Sequence, residues 1–426
     1  MQNAGEQGVV KGLFDAERWK FLLAKTPNGA TMDCWHNVRN ILEEHPDWIG
    51  VMGFDEFSQV PTKRRKAPTG MPAGPWMAQD DMALGKWLQQ HLSFVVKALG
   101  NISTGVIACA QEHPFHPVRE WLDGLIWDGT PRIEHFMHEC FGAKAGPYAS
   151  LVGRYFLLSM VARIFEPGCI MRSVPVLEGA QERGKSTALR TLAGTPWFSD
   201  SALDLSSKDA FELIQGVWLY EISEMHAFTR AEATKVKQFI SSPKDSWVPK
   251  YIRNRVTCFR QVVFGGTTNE SIYLTDWTGN TRFWPVLCEV EGNISIERIA
   301  DWREQLFAEA VVLYRAQERR FPTSEEHRVY FEPEQAARLI EHPWVDVIAA
   351  WLDSHAAVKV TAGEVLHEAC QVETSKMTLM MQQDCGRIMS GLGWVRKREP
   401  TGARRWFYER PAPMSETRQE DGDAPF

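Results

Sequence analysis

Gly179-Ala-Gln-Glu-Arg-Gly-Lys185-Ser186 follows a short β-rich run, Val174-Pro-Val-Leu177, and opens a helical run, Ser186-Thr-Ala-Leu-Arg-Thr-Leu-Ala193. Gly194 stands where that helix would stop. The stretch reads G-x-x-x-x-G-K-S, and its strand–loop–helix setting is what a phosphate-cradling loop requires. Glycines let backbone N–H groups turn inward around a β-phosphate, and the following helix adds its positive N-terminal end. Lys185 is spaced to reach the β- and γ-phosphates, and the Ser186 hydroxyl to hold Mg²⁺. The expected ATP contacts are therefore Gly179, Ala180, Gln181, Glu182, Arg183, Gly184, Lys185, Ser186 and Thr187.

Composition bounds what surrounds this loop. A chain of 426 residues, 44% hydrophobic and 24% charged, is expected to form two to four core-building domains. Its formal charge of −7 excludes a generally basic nucleic-acid coat, so any nucleic-acid contact must come from local patches. The 8 cysteines lack C-x-x-C spacing and read as reduced thiols of a cytoplasmic protein, not as a disulfide framework or zinc site. Met1-Gln-Asn-Ala-Gly-Glu6 has neither a basic start nor an apolar core, so no signal peptide is expected. The most apolar stretch, Tyr155 to Phe165, is too short for a bilayer and carries Arg163.

Six segments are expected. Residues 1–75 form a small N-terminal region ending in the basic, Pro/Gly-dense run Lys63-Arg-Arg-Lys to Pro75, read as a solvated linker. Residues 76–165 look mostly helical, with apolar spacing at Leu84, Trp87 and Leu88. Over residues 166–322 short β-branched or aromatic runs alternate with helical segments, the texture of an α/β layer. Its strands are drawn at 174–177, 217–222, 261–265 and 283–287, and Thr229-Arg-Ala-Glu232 is a capping box opening a helix with Val236, Phe239 and Ile240 on one face. Residues 323–343 read as a proline-punctuated connector. Residues 344–410 carry three short helices and a basic hairpin, which suggests a winged helix, and 411–426 read as a disordered acidic tail. The fold expected is an α/β P-loop NTPase core with a mostly helical N-terminal region and a C-terminal winged helix.

Hydrolysis needs an acid beside the loop. Gly216-Val-Trp-Leu-Tyr-Glu221-Ile-Ser-Glu224 is an apolar strand ending in carboxylates. Glu221 would bind the metal, directly or through water, and Glu224 would polarise the attacking water. The two roles are interchangeable on sequence, and Glu224 also reads as an ordinary surface acid. Val262-Val-Phe-Gly-Gly-Thr-Thr-Asn269 ends a second strand in an amide that can bond a γ-phosphate and the lytic water, or its own backbone. Arg282 follows a Gly-Asn turn and would serve as an arginine finger toward a neighbour's γ-phosphate, or as a surface ion-pair partner.

Taken in order, the motifs resemble the virulence-associated E family of phage and mobile-element proteins, within the superfamily 3 helicases. They are His116-Pro-Val-Arg-Glu-Trp-Leu122, Trp127-Asp-Gly-Thr-Pro-Arg132, Ala162-Arg-Ile-Phe-Glu-Pro-Gly168, Leu177-Glu-Gly-Ala-Gln181, Gly184-Lys-Ser186, Trp197-Phe-Ser-Asp200, Gly216 to Glu221, Phe239-Ile-Ser241, Thr267-Thr-Asn-Glu270 and Arg282-Phe-Trp-Pro285. The resemblance is strong over about residues 110–290 and loose over 15–110. It implies an AAA+-like core and a hexameric, DNA-translocating ATPase acting in replication of a phage or genomic island in the bacterial cytoplasm. ATP and Mg²⁺ would be its cofactors. Single-stranded and forked DNA, further copies of the chain, and a separate primase or replication-initiation protein would be its partners, with no membrane. It also implies Asn269 as γ-phosphate sensor and Arg282 as finger. The chain departs from the family at Glu182, where a third glycine is usual, at Trp247 and Thr281, where arginines are usual, and in having no recognisable primase domain before the helicase region.

Two basic segments bear on DNA. Lys250-Tyr-Ile-Arg253-Asn-Arg255 lies in an alternating run suited to a hairpin, and the resemblance implies a pore hairpin whose Lys250, Arg253 and Arg255 grip a single strand. A solvated basic strand is the plainer reading. Arg396, Arg398, Arg404 and Arg405 flank the C-terminal turn and, as a wing, would meet phosphates; a winged helix used for protein contacts is the alternative. The rival to a helicase is a DNA-binding regulatory ATPase that remodels a protein partner without unwinding, which has no need of the pore cations. A sequence-specific origin binder with the ATPase as an assembly switch is a third class.

Overall fold

The computed structural model describes residues 17–201, 210–223, 230–247, 256–274, 280–290, 292–340, 342–355, 358–399 and 405–410. The chain divides into two units, Met1–Ser271 with Asn280–Arg338, and Ile272–Gly279 with Leu339–Phe426.

The first unit is built on a five-stranded sheet of order β11-β5-β10-β7-β6, with all neighbours parallel. The strands are β5 (Val174–Glu178), β6 (Phe198–Ser199), β7 (Leu219–Ile222), β10 (Val263–Thr268) and β11 (Phe283–Leu287). This is a mixed α/β architecture with the expected parallel layer. All five residues of β5 are buried, as a central parallel strand requires. Its Pro175 is tolerated because β10 pairs only from Val176 onward, and Pro285 lies on the edge strand β11. Gly265 on β10 lets the helix Lys185–Ala193 come close, since a Cβ there would sit 3.3 Å from Leu189.

Helices Pro147–Phe165 and Ile296–Arg315 join the same core, in which Trp218, Trp284 and Phe307 are fully buried. Helix Pro147–Phe165 is long and apolar enough to cross a membrane by length and composition, but its apolar residues line this core.

The stretch expected as a linker is structured. Lys63 ends β2 (Val60–Lys63), which lies in a second sheet of order β3-β2-β1-β4 with β1 (Met52–Asp55), β3 (Gly74–Pro75) and β4 (Pro114–Phe115). Its buried ammonium is 2.6 Å from Asp80, across the boundary expected at residue 75, and also donates to the Pro75 carbonyl. One core, from Trp19 through Trp48 and Trp87 to Ala110, joins the first expected segment to the start of the second, whose residues from Val118 onward pack in the core of the parallel sheet. Burial of the cation, which demands a paired carboxylate, outweighs the linker-like composition of the run.

Residues 323–338 of the expected connector are likewise part of the first unit, and the rest of it falls in the second. Thr323 and Glu326 form a capping box, Phe331 is fully buried, and Gln335 donates to the Phe283 carbonyl.

In the second unit, helices Val345–Ser354, Ala362–Glu368 and Leu379–Gly391 pack with a three-stranded sheet, β12-β14-β13. Here β12 is Lys359–Val360, β13 Val395–Arg398 and β14 Trp406–Glu409. The Thr361–Glu364 capping box forms as the sequence predicts.

Candidate functional site

The cleft at the carboxyl edge of the parallel sheet is where α/β folds of this kind bind ligands. Its volume is about 370 Å³, and residues 181–187, Glu221, Ser223 and 267–269 line it. Three neighbouring strands supply the walls, because β10 lies between β5 and β7. The loop after β5 thus faces the ends of both.

Gly184 takes φ +84°, in the left-handed region, and leads directly into the helix that begins at Lys185. Glu182 is also left-handed, at φ +61°, and its side chain is exposed. The backbone there has the conformation a glycine adopts freely, although a glutamate occupies it.

Lys185 is 7% exposed and curls back over the loop. Its Nζ donates to the carbonyls of Gly179 (2.7 Å) and Ala180 (2.8 Å) and to Asn269 Oδ1 (2.9 Å). Burial holds the amine below the ordinary lysine range, offset in part by the carboxylate of Glu221. The Cys288 thiol, against the back of the loop, is itself pushed up to about 12 by burial and stays protonated.

Glu221 is 3% exposed. Its Oε1 accepts from Ser186 Oγ (2.7 Å) and from Thr267 Oγ1 (2.6 Å). Its Oε2 is buried and has no hydrogen-bond partner among the described residues. A buried carboxylate oxygen in this state favours an arriving cation, and the hydroxyl and carboxylate beside it are the hard oxygen donors Mg²⁺ prefers. The residues present therefore fit the ion.

Of the expected site residues, Lys185, Ser186, Glu221 and Asn269 come together. Arg282 does not. It precedes β11, where Phe283 is level with Val174 and Leu287 with Glu178. Arg282 is thus six positions below Gly179 along the sheet, about 20 Å at ~3.3 Å per residue, at the opposite edge. Its Nε donates to Ser241 Oγ at 3.1 Å. Glu224, Lys250, Arg253, Arg255 and Arg404 lie outside the described residues, as does the start of the capping box expected at Thr229. The strands that flank the basic run are described, and they pair antiparallel as β8 (Lys244–Trp247) and β9 (Val256–Phe259). Arg260, at the end of that run, is buried on Asp245 and is not a solvated cation.

Two residues that sequence reasoning passed over complete the site. Thr267 holds Glu221 in register from the neighbouring strand. Arg338 grips the buried carboxylate of Glu178, the last residue before the loop, with Nε to Oε1 and Nη2 to Oε2 both at 3.0 Å. No local pattern ties Arg338 to a strand 160 residues earlier. Other motif residues brace the scaffold. The His116 Nδ1 caps helix Pro117–Asp123 at the Arg119 N–H, and its Nε2 bonds Gln261 at 2.6 Å. Arg132 closes its own turn on Asp128.

All eight cysteines are free thiols. Cys109 is buried beside Glu43, whose carboxylate bonds His113 at 2.6 Å, and the trio reads as a hydrogen-bonded helix junction.

The family model for the virulence-associated protein E-like domain matches residues 122–340, just over half of the chain. Among solved structures, the apo structure of the NrS-1 C-terminal region (305–718) aligns over 84% of this chain and 95% of its own, at 12% identity and a TM-score of 0.45. The A form apo structure of the same region aligns over 85% and 96%, at 11% identity and a TM-score of 0.46. The curated proteins give no match.

Proposed function

The chain belongs to the virulence-associated protein E-like family, and on that premise we propose that it is an ATP-driven DNA helicase of the superfamily 3 type. In this reading the first unit is an AAA+-like P-loop ATPase and the second a winged helix. The observation that carries it is the convergence at one sheet edge of Lys185, Ser186, Glu221 and Asn269, with Glu221 Oε2 buried and unpartnered among the described residues.

The chemistry follows from these groups. The N–H groups of residues 180–186 bind the polyphosphate at the helix N-terminus. Lys185 exchanges its three internal bonds for phosphate oxygens and neutralises charge on the γ-phosphoryl group as it departs. Ser186 and Glu221 would hold Mg²⁺, which would supply positive charge to offset that of the phosphates. Asn269 orients the γ-phosphate and the attacking water, and Glu224 is the proposed base. Arg282, remote from its own loop, suits a role in trans across a ring of subunits, six by the family pattern. The β8–β9 hairpin would carry Lys250, Arg253 and Arg255 at its tip against single-stranded DNA, while Arg396, Arg398, Arg404 and Arg405 meet DNA from the second unit. The setting proposed is replication of a phage or other mobile element in the bacterial cytoplasm, beside a separate primase or initiation protein.

The test is mass measurement and ATPase assay of the purified chain, with and without an ATP analogue and single-stranded DNA. A closed ring and DNA-stimulated hydrolysis are expected. A monomer that hydrolyses ATP at a rate indifferent to DNA would instead favour a partner-remodelling ATPase.

A further inference from the structure

We propose that the groove between helix Leu379–Gly391 and the β13–β14 hairpin binds single-stranded DNA, with an unpaired base stacked on Trp406. The inference rests on the reading of the chain as a DNA-acting ATPase and adds a second, separate strand-binding surface to it.

The cross-strand register sets the face. Arg396 is opposite Tyr408 and Arg398 opposite Trp406, so alternation puts all four on one side of the hairpin. Tyr408 is buried and floors the groove against Gly386, where a Cβ would lie 2.2 Å from the phenol oxygen. Trp406 stays 49% exposed at the rim. The Arg396 guanidinium is 4.3 Å from its ring centroid and that of Arg398 is 5.5 Å away. The groove holds about 980 Å³, and Arg387, Arg405, Gln382 and Ser390 share its lining.

Charge decides the class of ligand. On the far face of the hairpin, Lys397 and Lys359 are both balanced by Glu409. On the groove face, Arg387 is met by Asp384, whereas among the described residues no carboxylate lines the groove beside Arg396 and Arg405. A flat indole next to guanidinium groups, with amide and hydroxyl donors beside them, is the combination that takes bases and phosphates together.

The apolar first turn separates single strand from duplex. Leu379 is 72% exposed and Met380 53% exposed, where a helix reading a major groove would present donors to base edges. Apolar side chains and an indole face suit the faces of unstacked bases, which a duplex does not offer. These exposed groups would meet the strand as it leaves Trp406.

The experiment uses the full chain carrying Lys250→Ala, Arg253→Ala and Arg255→Ala, so that the hairpin tip does not mask the groove. Binding of a labelled oligothymidine and of a duplex of equal length is followed by anisotropy, without nucleotide. Trp406→Ala should weaken single-strand binding by about tenfold, with Trp406→Phe retaining most of it. Arg396→Ala with Arg405→Ala should reduce the salt slope by about 1.4, at ~0.7 per phosphate. An oligonucleotide with 5-iodouracil should crosslink to the peptide holding Trp406. Equal affinity in Trp406→Ala, tighter binding of the duplex than of the strand, or crosslinks confined to other segments would each overturn the inference. Loss of DNA-stimulated ATPase in the unmodified chain would instead overturn the reading beneath it.

Discussion

Lys185 Nζ lies 2.9 Å from Asn269 Oδ1, and this bond ties the tip of β10 to the loop that follows β5. The same ammonium also holds two carbonyls at the root of the loop. All three of its donors are therefore engaged inside the protein, and in the proposed function a phosphate would have to displace them. On the proposed reading, the amide of Asn269 would follow the γ-phosphate once Lys185 turns to it. Asn269→Ala should therefore bind ATP within a few-fold of the parent, yet lose hydrolysis by about 10²-fold, the usual scale for one positioned dipole in a transition state. Equilibrium binding of a fluorescent ATP analogue, set beside steady-state turnover, separates the two effects. Equal losses in both would make Asn269 a binding residue only.

The left-handed backbone at Glu182 yields the second prediction. Glu182→Gly removes the Cβ strain, worth ~1 kcal/mol, against a similar loss in unfolded-chain entropy. Thermal stability should be nearly unchanged. Nucleotide affinity should rise several-fold, because a carboxylate at the cleft rim is removed. Glu182→Ala keeps both the strain and the unfolded-chain entropy and loses only the charge, so it should match the affinity gain and melt close to the parent. If the glycine variant binds more weakly, the carboxylate contributes to the site.

Arg282 is at the wrong edge of the sheet to serve its own loop. Arg282→Ala should bind nucleotide normally and hydrolyse almost none. Mixed with Lys185→Ala protein, it should regain part of the activity, since mixed interfaces pair an intact loop with an intact arginine. Absence of rescue over a range of ratios, with subunit exchange demonstrated, would assign Arg282 a structural role through Ser241.

The hairpin of β8 and β9 gives the fourth. Replacing Lys250, Arg253 and Arg255 together by Ala should spare basal hydrolysis, remove its stimulation by single-stranded DNA and abolish unwinding of a forked substrate. Unwinding at the parental rate would remove the pore assignment.

Much of this was legible in the chain. Strand β11 falls on the expected residues 283–287, and β5 and β7 lie within a residue or two of expectation, because β-branched and aromatic runs in a buried parallel layer carry their own signature. Capping at Thr361 follows from four residues. What stayed hidden was long-range. Lys63 reads as a solvated cation, and Arg260 as the end of a basic run, until Asp80 and Asp245 are brought to them by the fold. The small sheet around Met52–Asp55 has strands too short for periodicity to register. Arg338 falls in a polar stretch whose purpose appears only beside Glu178.

The most direct test of the central claim is Mg²⁺-dependent ATP hydrolysis by the purified chain and two variants, with folding checked by circular dichroism. Lys185→Ala removes the charge at the γ-phosphate, and Glu221→Gln removes the carboxylate that Ser186 and Thr267 hold in place. The account predicts hydrolysis by the parent, stimulated by single-stranded DNA, none by Lys185→Ala and nearly none by Glu221→Gln. Full hydrolysis in either folded variant would contradict it.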